Sequence, residues 1–201
     1  CAAVGNALAR IHLCGERFSG RRKDGRGKSW RRRLGDKLLS RLGEKERELL
    51  IRELAFHENH SPALPAGIIH ADLFRDNTLF LENRLTGLID FYLACQGDLL
   101  YDLAICVNDW CIEKNGRLDT TLCRSLIGAY HHTRPLTAAE KTHWPQMLRR
   151  AALRFWLSRL DDLHFPRGGE ITHIKDPKHF QRILEQRIKH PQTNPEYWPT
   201  E

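Results

Sequence analysis

The stretch IIHADLFRDNTLFLENRLTGLIDF, residues 68–91, breaks the pattern of the chain around it. Its apolar residues fall in short runs at 68–69, 78–81 and 85–91, with Glu82-Asn83-Arg84 between the last two, which predicts short strands and a turn rather than helix. A polar loop, residues 70–77, separates the first run from the second. On both sides the period is helical. Val4, Leu8, Ile11 and His12 share one face of a helix predicted over 1–14 and ended by Gly15. Two more helices are predicted over 32–42 and 45–58, with Leu38, Leu42, Leu49, Leu50 and Leu54 near helical spacing; the prolines and glycine of SPALPAG (61–67) stop the second. Beyond Asp98, helices are predicted over 99–113, 119–133, 137–164 and 176–189, with Pro145 either starting a new helix or kinking the long one. The expected class is mainly α, α+β overall, with helices around a small β-hairpin that carries every residue of chemical promise.

Within that insert stand His70, Asp72, Asn77 and Asp90. A loop carboxylate, an amide five residues later and a second carboxylate after the next hairpin converge if the strands at 78–81 and 85–91 pair. Phosphoryl transfer asks little covalent chemistry of a protein; it needs a carboxylate aimed at the acceptor hydroxyl and hard oxygen ligands for magnesium on the phosphates. Asp72 suits the first role, and Asn77 and Asp90 the second. Any one of these residues in a loop is equally explained by side-chain bonds to nearby backbone. The ordered set, flanked by a short strand and by strand, turn, strand and Asp, is more specific.

Composition narrows the classes further. A chain of 201 residues with 41% hydrophobic and 28% charged residues is one to one and a half globular domains, which excludes a disordered, collagen-like or multi-span membrane chain. Six cysteines, at 1, 14, 95, 106, 111 and 123, show no C-x-x-C pair, so neither zinc nor a disulfide framework is expected and the compartment is read as reducing. Cys106 and Cys111 read as small buried hydrophobes on a helix. The start lacks a signal-peptide pattern, and the densest apolar window, 99–107, is interrupted by Asp102, so a cytoplasmic protein with no membrane partner is expected. Nothing in the sequence addresses oligomeric state.

The net charge of +7 is local: residues 16–52 hold 14 Lys and Arg against 6 Asp and Glu, leaving −1 for the rest. The run RRKDGRGKSWRRR (21–33) reads either as a phosphate-contacting patch for nucleic acid, with Trp30 stacking a base, or as a solvated connection into a charged helix. Charge runs are usually solvated faces, and nucleic acid is not the expected partner. Two motifs in this half are decoys. Gly27-Lys28-Ser29 resembles the end of a phosphate-binding P-loop, but Arg22 stands where the first glycine belongs and no apolar strand precedes it. In His57-Glu58-Asn59-His60 the histidines are three apart instead of four, so they read as exposed helix-end residues and not as metal ligands.

The His-x-Asp-x-x-x-x-Asn loop and the Ile89-Asp90-Phe91 segment resemble the C-terminal lobe of the aminoglycoside phosphotransferase-like kinases, relatives of the protein kinases. Residues 91–111, the run 148–160, and the segments at 164–166 and 175–177 are similar to the bacterial homoserine kinases of that superfamily. The resemblance covers nearly the whole chain. It implies ATP-dependent phosphorylation of the L-homoserine side-chain hydroxyl to O-phospho-L-homoserine, in threonine biosynthesis, with ATP and Mg2+ as cofactors. By the same resemblance Asp72 is the catalytic aspartate, Asn77 and Asp90 are the magnesium ligands, and Asp102 and His70 brace the catalytic loop.

Two departures stand out. Ala71 occupies a position often filled by Gly or Arg, where a methyl group is tolerated unless the backbone needs a positive φ. Phe74 stands where protein kinases carry the Lys that meets the γ-phosphate; Arg75 is the candidate for that charge, the alternative being a surface ion pair. No counterpart of an ATP-clamping lobe is read before residue 70, so residues 1–201 are expected to form a C-terminal catalytic lobe with an N-terminal lobe missing, at most weakly active alone. Homoserine carries an ammonium and a carboxylate; Arg154, Arg159 and Asp109 are able to face the site, while Phe155, Trp156 and Leu160 read equally as core. Alternative acceptors are an aminoglycoside or choline, although an aminoglycoside pocket needs an acidic surplus that the chain lacks.

Overall fold

The computed structural model describes residues 1–58, 63–166 and 175–199. Asn59 and His60 of the histidine motif, and Ser61 and Pro62 of the helix-stopping segment, lie outside the described residues. Helices α1 (Ala2–Gly15), α2 (Lys28–Leu38), α3 (Glu44–Glu58), α4 (Leu99–Trp110), α5 (Thr120–Thr133), α6 (Ala138–His164) and α7 (Pro177–Lys189) surround strands β1 (Ala66–Ile69), β2 (Thr78–Leu81), β3 (Arg84–Leu88) and β4 (Cys95–Asp98). No helix among them is long and apolar enough to cross a membrane.

The core is organised around α4, whose residues Leu100, Leu103, Ala104, Ile105, Cys106 and Val107 are all fully buried. A helix apolar on every side belongs in the middle of a bundle, and each Leu or Ile so buried contributes about 1.5–3 kcal/mol. The long helix α6, with Ala151, Ala152, Leu153 and Trp156 fully buried, packs on α4, and α7 packs on α6. A capping box starts α6, Thr137 and Glu140 satisfying each other's backbone N–H groups, and Pro145 sits inside the helix without ending it. On the other side α1 lies against α5 so closely that a Cβ on Gly5 would stand 2.1 Å from the Leu126 carbonyl oxygen. Arg149 of α6 grips Glu53 of α3 with two bonds of 2.7 and 3.1 Å, and Arg150 meets Asp98 of β4 at 2.6 Å. The cysteines are free, with Cys106 and Cys111 buried as expected.

Four expectations need correction. Strand β3 ends at Leu88, not at 91, because Asp90 adopts a left-handed conformation (φ 63°, ψ 58°) and Phe91–Leu93 form a 3-10 turn. Strand β4, absent from the sequence reading, pairs antiparallel with β1 from Ala66 opposite Asp98 to Ile69 opposite Cys95; its Cys-Gln-Gly-Asp sequence has no apolar alternation to mark it. His57 is 4% exposed, because it continues the buried face of α3 marked by Leu49, Leu50 and Glu53. The basic run is only partly solvated. Arg21, Arg32 and Arg33 are exposed, but Arg31 is buried, Lys23 bridges to Gln96 on β4, and Arg26 donates to Ser158 Oγ at 2.9 Å.

Candidate active site

Strand β1 delivers His70 to the end of a two-stranded sheet, where Asp102 of α4 waits. The two oxygens of this fully buried carboxylate accept separate backbone N–H groups, His70 at 2.7 Å on Oδ2 and Ala71 at 2.8 Å on Oδ1. Oδ2 also takes His12 Nε2 at 3.1 Å, and His12 Nδ1 lies 2.7 Å from the Tyr130 hydroxyl. One carboxylate thus ties the loop at 70–71 to α1, α4 and α5. His70 adds a second tie, its Nε2 donating to the Ile89 carbonyl at 3.0 Å while its ring packs on Phe91.

Held this way, Ala71 has φ 64°. A side chain in this region costs about 1–2 kcal/mol over right-handed backbone. The methyl group departing from the family's pattern is therefore strained. Ala71→Gly relieves that strain and loosens the unfolded chain by about 0.4–1 kcal/mol. The expected outcome is a urea midpoint equal to or above that of the parent; a fall of more than about 1 kcal/mol contradicts the strain.

The turn at Ala71 presents Asp72 at the surface of a cleft. Its side chain is 21% exposed, and burial raises its proton affinity, against which Arg154 and then His70 favour the ionised form while Asp90 opposes it. Asn77 closes the loop: its Nδ2 donates to the Asp72 carbonyl at 2.8 Å and lies 3.4 Å from Asp72 Oδ2. Strands β2 and β3 pair antiparallel, Thr78 opposite Leu88, and Ile89 N donates to the Asn77 carbonyl at 3.1 Å. Those bonds bring Asp90, on the residue after Ile89, beside the loop that holds Asp72 and Asn77. With Nδ2 committed to Asp72, the Asn77 Oδ1 receives no hydrogen bond among the described residues. An amide oxygen and an exposed carboxylate are both hard-oxygen donors, the kind of group a divalent cation accepts.

Arg75 does not join this group. Its backbone N–H donates to Asp109 Oδ2 at 2.8 Å and its guanidinium to the Trp110 carbonyl at 3.2 Å, so the side chain lies along the end of α4. The cations around Asp72 come from elsewhere. A cleft of about 270 Å³ opens there, lined by Arg26, Asp72, Arg154, Ser158, Arg159, Asp162 and Lys175 together with apolar residues. Through Arg26, Leu93 and Arg154 it adjoins a second hollow of about 160 Å³ bounded by Ala71, Tyr101 and residues 22–26, Asp24 among them. Lys175 pairs with Asp76, and Arg159 donates to the Asp176 carbonyl at 3.2 Å over the face of Phe180. Sequence reading missed Arg26, Ser158 and Lys175 here, and His12 behind Asp102. Arg26 left a signal only as part of the basic run and Lys175 only within the 175–177 segment, while His12 stood out as a polar residue on the apolar face of α1.

Comparison with known proteins follows the same lines. The phosphotransferase enzyme family matches over residues 1–136. The chain is 49% identical over 189 residues to a homoserine kinase of Methylobacillus flagellatus, covering 94% of this chain and 59% of that protein. It is 46% identical to a homoserine kinase of Polaromonas naphthalenivorans (95% and 62%) and 43% identical to one of Neisseria meningitidis serogroup B (92% and 61%). The chain thus spans about three fifths of the length of these curated relatives. Among solved structures, a choline/ethanolamine kinase family protein from Mesorhizobium loti superposes with a TM-score of 0.66 at 17% identity, over 98% of this chain and 64% of that one. The amicoumacin kinase hAmiN superposes with a TM-score of 0.62 at 12% identity, over 100% and 60%. These two share the fold of the helical lobe with its small antiparallel strands.

Proposed function

Because the chain belongs to the phosphotransferase enzyme family, we propose that it carries the catalytic lobe of a homoserine kinase, which transfers the γ-phosphoryl group of ATP to the side-chain hydroxyl of L-homoserine. Identities of 43–49% with homoserine kinases over more than nine tenths of this chain support that acceptor over choline or an aminoglycoside. The observation that supports the chemistry is the bonding of the loop pair, Asn77 to Asp72 and Ile89, the residue before Asp90, to Asn77. In this reading Asp72 accepts a hydrogen bond from the acceptor hydroxyl and takes its proton as the new P–O bond forms. Asp72 Oδ2 faces the Asn77 amide and Oδ1 faces Arg154. Asn77 Oδ1 and the Asp90 carboxylate are the residues that would hold Mg2+, which when bound neutralises phosphate charge. Asp102 and His70 act on the backbone, fixing where the Asp72 carboxylate points.

The basic segment belongs to this site rather than to a nucleic-acid surface. Arg26 is a wall of the cleft, and residues 22–23 are joined to β4 by the Gln96 N–H bond to the Arg22 carbonyl at 2.8 Å and by the bridge at Lys23. The test is direct. The protein is incubated with ATP, Mg2+ and L-homoserine, choline or an aminoglycoside, and products are followed by phosphorus NMR. A phosphomonoester on homoserine alone is the expected result; transfer to either of the others without homoserine overturns the acceptor.

A further inference from the structure

One cation in the cleft is unlike the rest. Lys175 and Arg159 already have partners, as described above. Arg154 is 3% exposed, yet its guanidinium makes no hydrogen bond among the described residues. Among the described residues its one ion-pair partner is Asp72, whose Oδ1 lies at 3.5 Å, beyond good hydrogen-bond length, and its underside rests on the Phe155 ring at 3.7 Å. A guanidinium carries five donors in a planar fork, and burying it without acceptors is costly. It opens into both hollows of the cleft. Among the described residues no anion meets both arms of the fork at hydrogen-bond distance.

The position of Arg154 about Asp72 decides which anion. Asn77, on the proposed metal side, lies by Oδ2, and Arg154 lies by Oδ1. A group held by Arg154 is thus on the opposite flank of the carboxylate from the Asn77 side, where the acceptor would enter. Arg26 stands next to it, anchored on Ser158, one helical turn along α6 from Arg154. In homoserine the hydroxyl oxygen and the carboxylate carbon are separated by four bonds, roughly 5 Å when extended. A hydroxyl on Asp72 can therefore reach a carboxylate on the neighbouring guanidinium. Resting on the homoserine reading above, we propose that Arg154, assisted by Arg26, seats the acceptor's carboxylate and makes the site selective for an amino acid over an amino alcohol.

The test is a selectivity ratio. L-homoserine is compared with 3-aminopropan-1-ol, which is homoserine without its carboxylate, as acceptor for the parent protein, Arg154→Met and Arg154→Lys. The parent should favour homoserine by at least about 100-fold in kcat/KM, because a site built to bond a polar group rejects the analogue lacking it. Arg154→Met should bring the ratio within about fivefold of unity, and Arg154→Lys should recover part of it, since Lys supplies charge without the fork. Calorimetric dissociation constants for the two compounds give the same ratio independently of turnover. Should Arg154→Met not fold, Arg26→Met reads the ratio, with an expected fall of about tenfold. A parental ratio retained in the folded variant overturns the proposal. So does a loss that appears as a raised KM for ATP with the ratio intact, which assigns Arg154 to the transferred phosphate. If the parent does not bind homoserine by calorimetry, the homoserine reading itself fails; a parent that binds homoserine without preference over 3-aminopropan-1-ol rejects only the carboxylate seat.

Discussion

Asp72→Asn should lower kcat for phosphate transfer to homoserine by about 10²–10⁴-fold, while the dissociation constant for ATP changes by less than about threefold. Asparagine keeps the size of the side chain and can still contact the acceptor hydroxyl, but its amide cannot take the proton. Equal losses of transfer and nucleotide affinity would remove Asp72 from the catalytic role. The pH profile provides a second check. Burial raises the proton affinity of Asp72, and Arg154 is the strongest of the charges opposing that rise. A base with a raised pKa is in its working form only above that pKa, so the acidic limb should lie above the range of an ordinary aspartate. Arg154→Met removes the opposing charge and should move the limb to still higher pH. A limb that moves down instead would mean that Arg154 does not act on Asp72 as the 3.5 Å separation implies.

Asp102→Asn should destabilise the fold by about 3–5 kcal/mol, the usual consequence of breaking a buried charge network. Asp102 has no exposed surface, and its two oxygens serve the His70 and Ala71 N–H groups and His12 Nε2. An asparagine in its place turns an NH2 toward donors, leaving at least one buried N–H without an acceptor. The left-handed backbone at Ala71 loses part of what holds it, so Asp72 moves as well. Urea unfolding measures the first effect and the transfer rate at a temperature where the variant is folded measures the second. A loss below about 1 kcal/mol would show that the network is dispensable. The pairing of Ala71→Gly with Asp102→Asn tests the connection between strain and brace, because a glycine at 71 needs less holding.

Much of the architecture was legible in the pattern of residues because helical periodicity is a local property. The helices from α4 onward start and stop within three residues of their expected ends, since Asp119, Thr137 and Asp176 accept backbone N–H groups as N-caps. The short strands were harder. Thr78–Leu81 announced itself by an apolar run, whereas Cys95–Asp98 is a strand only because Ala66–Ile69 lies beside it. The third run was read too long because the conformation of Asp90, which ends it, depends on its surroundings and not on its own propensity.

For the site the division is sharper. Sequence alone determined the chemical identity of the loop residues: the order His70, Asp72, Asn77, Asp90 is a linear fact, and linear spacing suffices where the groups sit on one loop and the hairpin after it. It could not assign the cations. Arg26 and Lys175 reach the cleft from opposite ends of the chain, Arg154 is selected from its neighbours by the rotation of α6, and Arg75, inside the loop between Asp72 and Asn77, turns away to Trp110. Tertiary packing decided those contacts because a long flexible side chain goes where acceptors and low-dielectric walls make its charge most favourable, and that field is summed over elements distant in the chain.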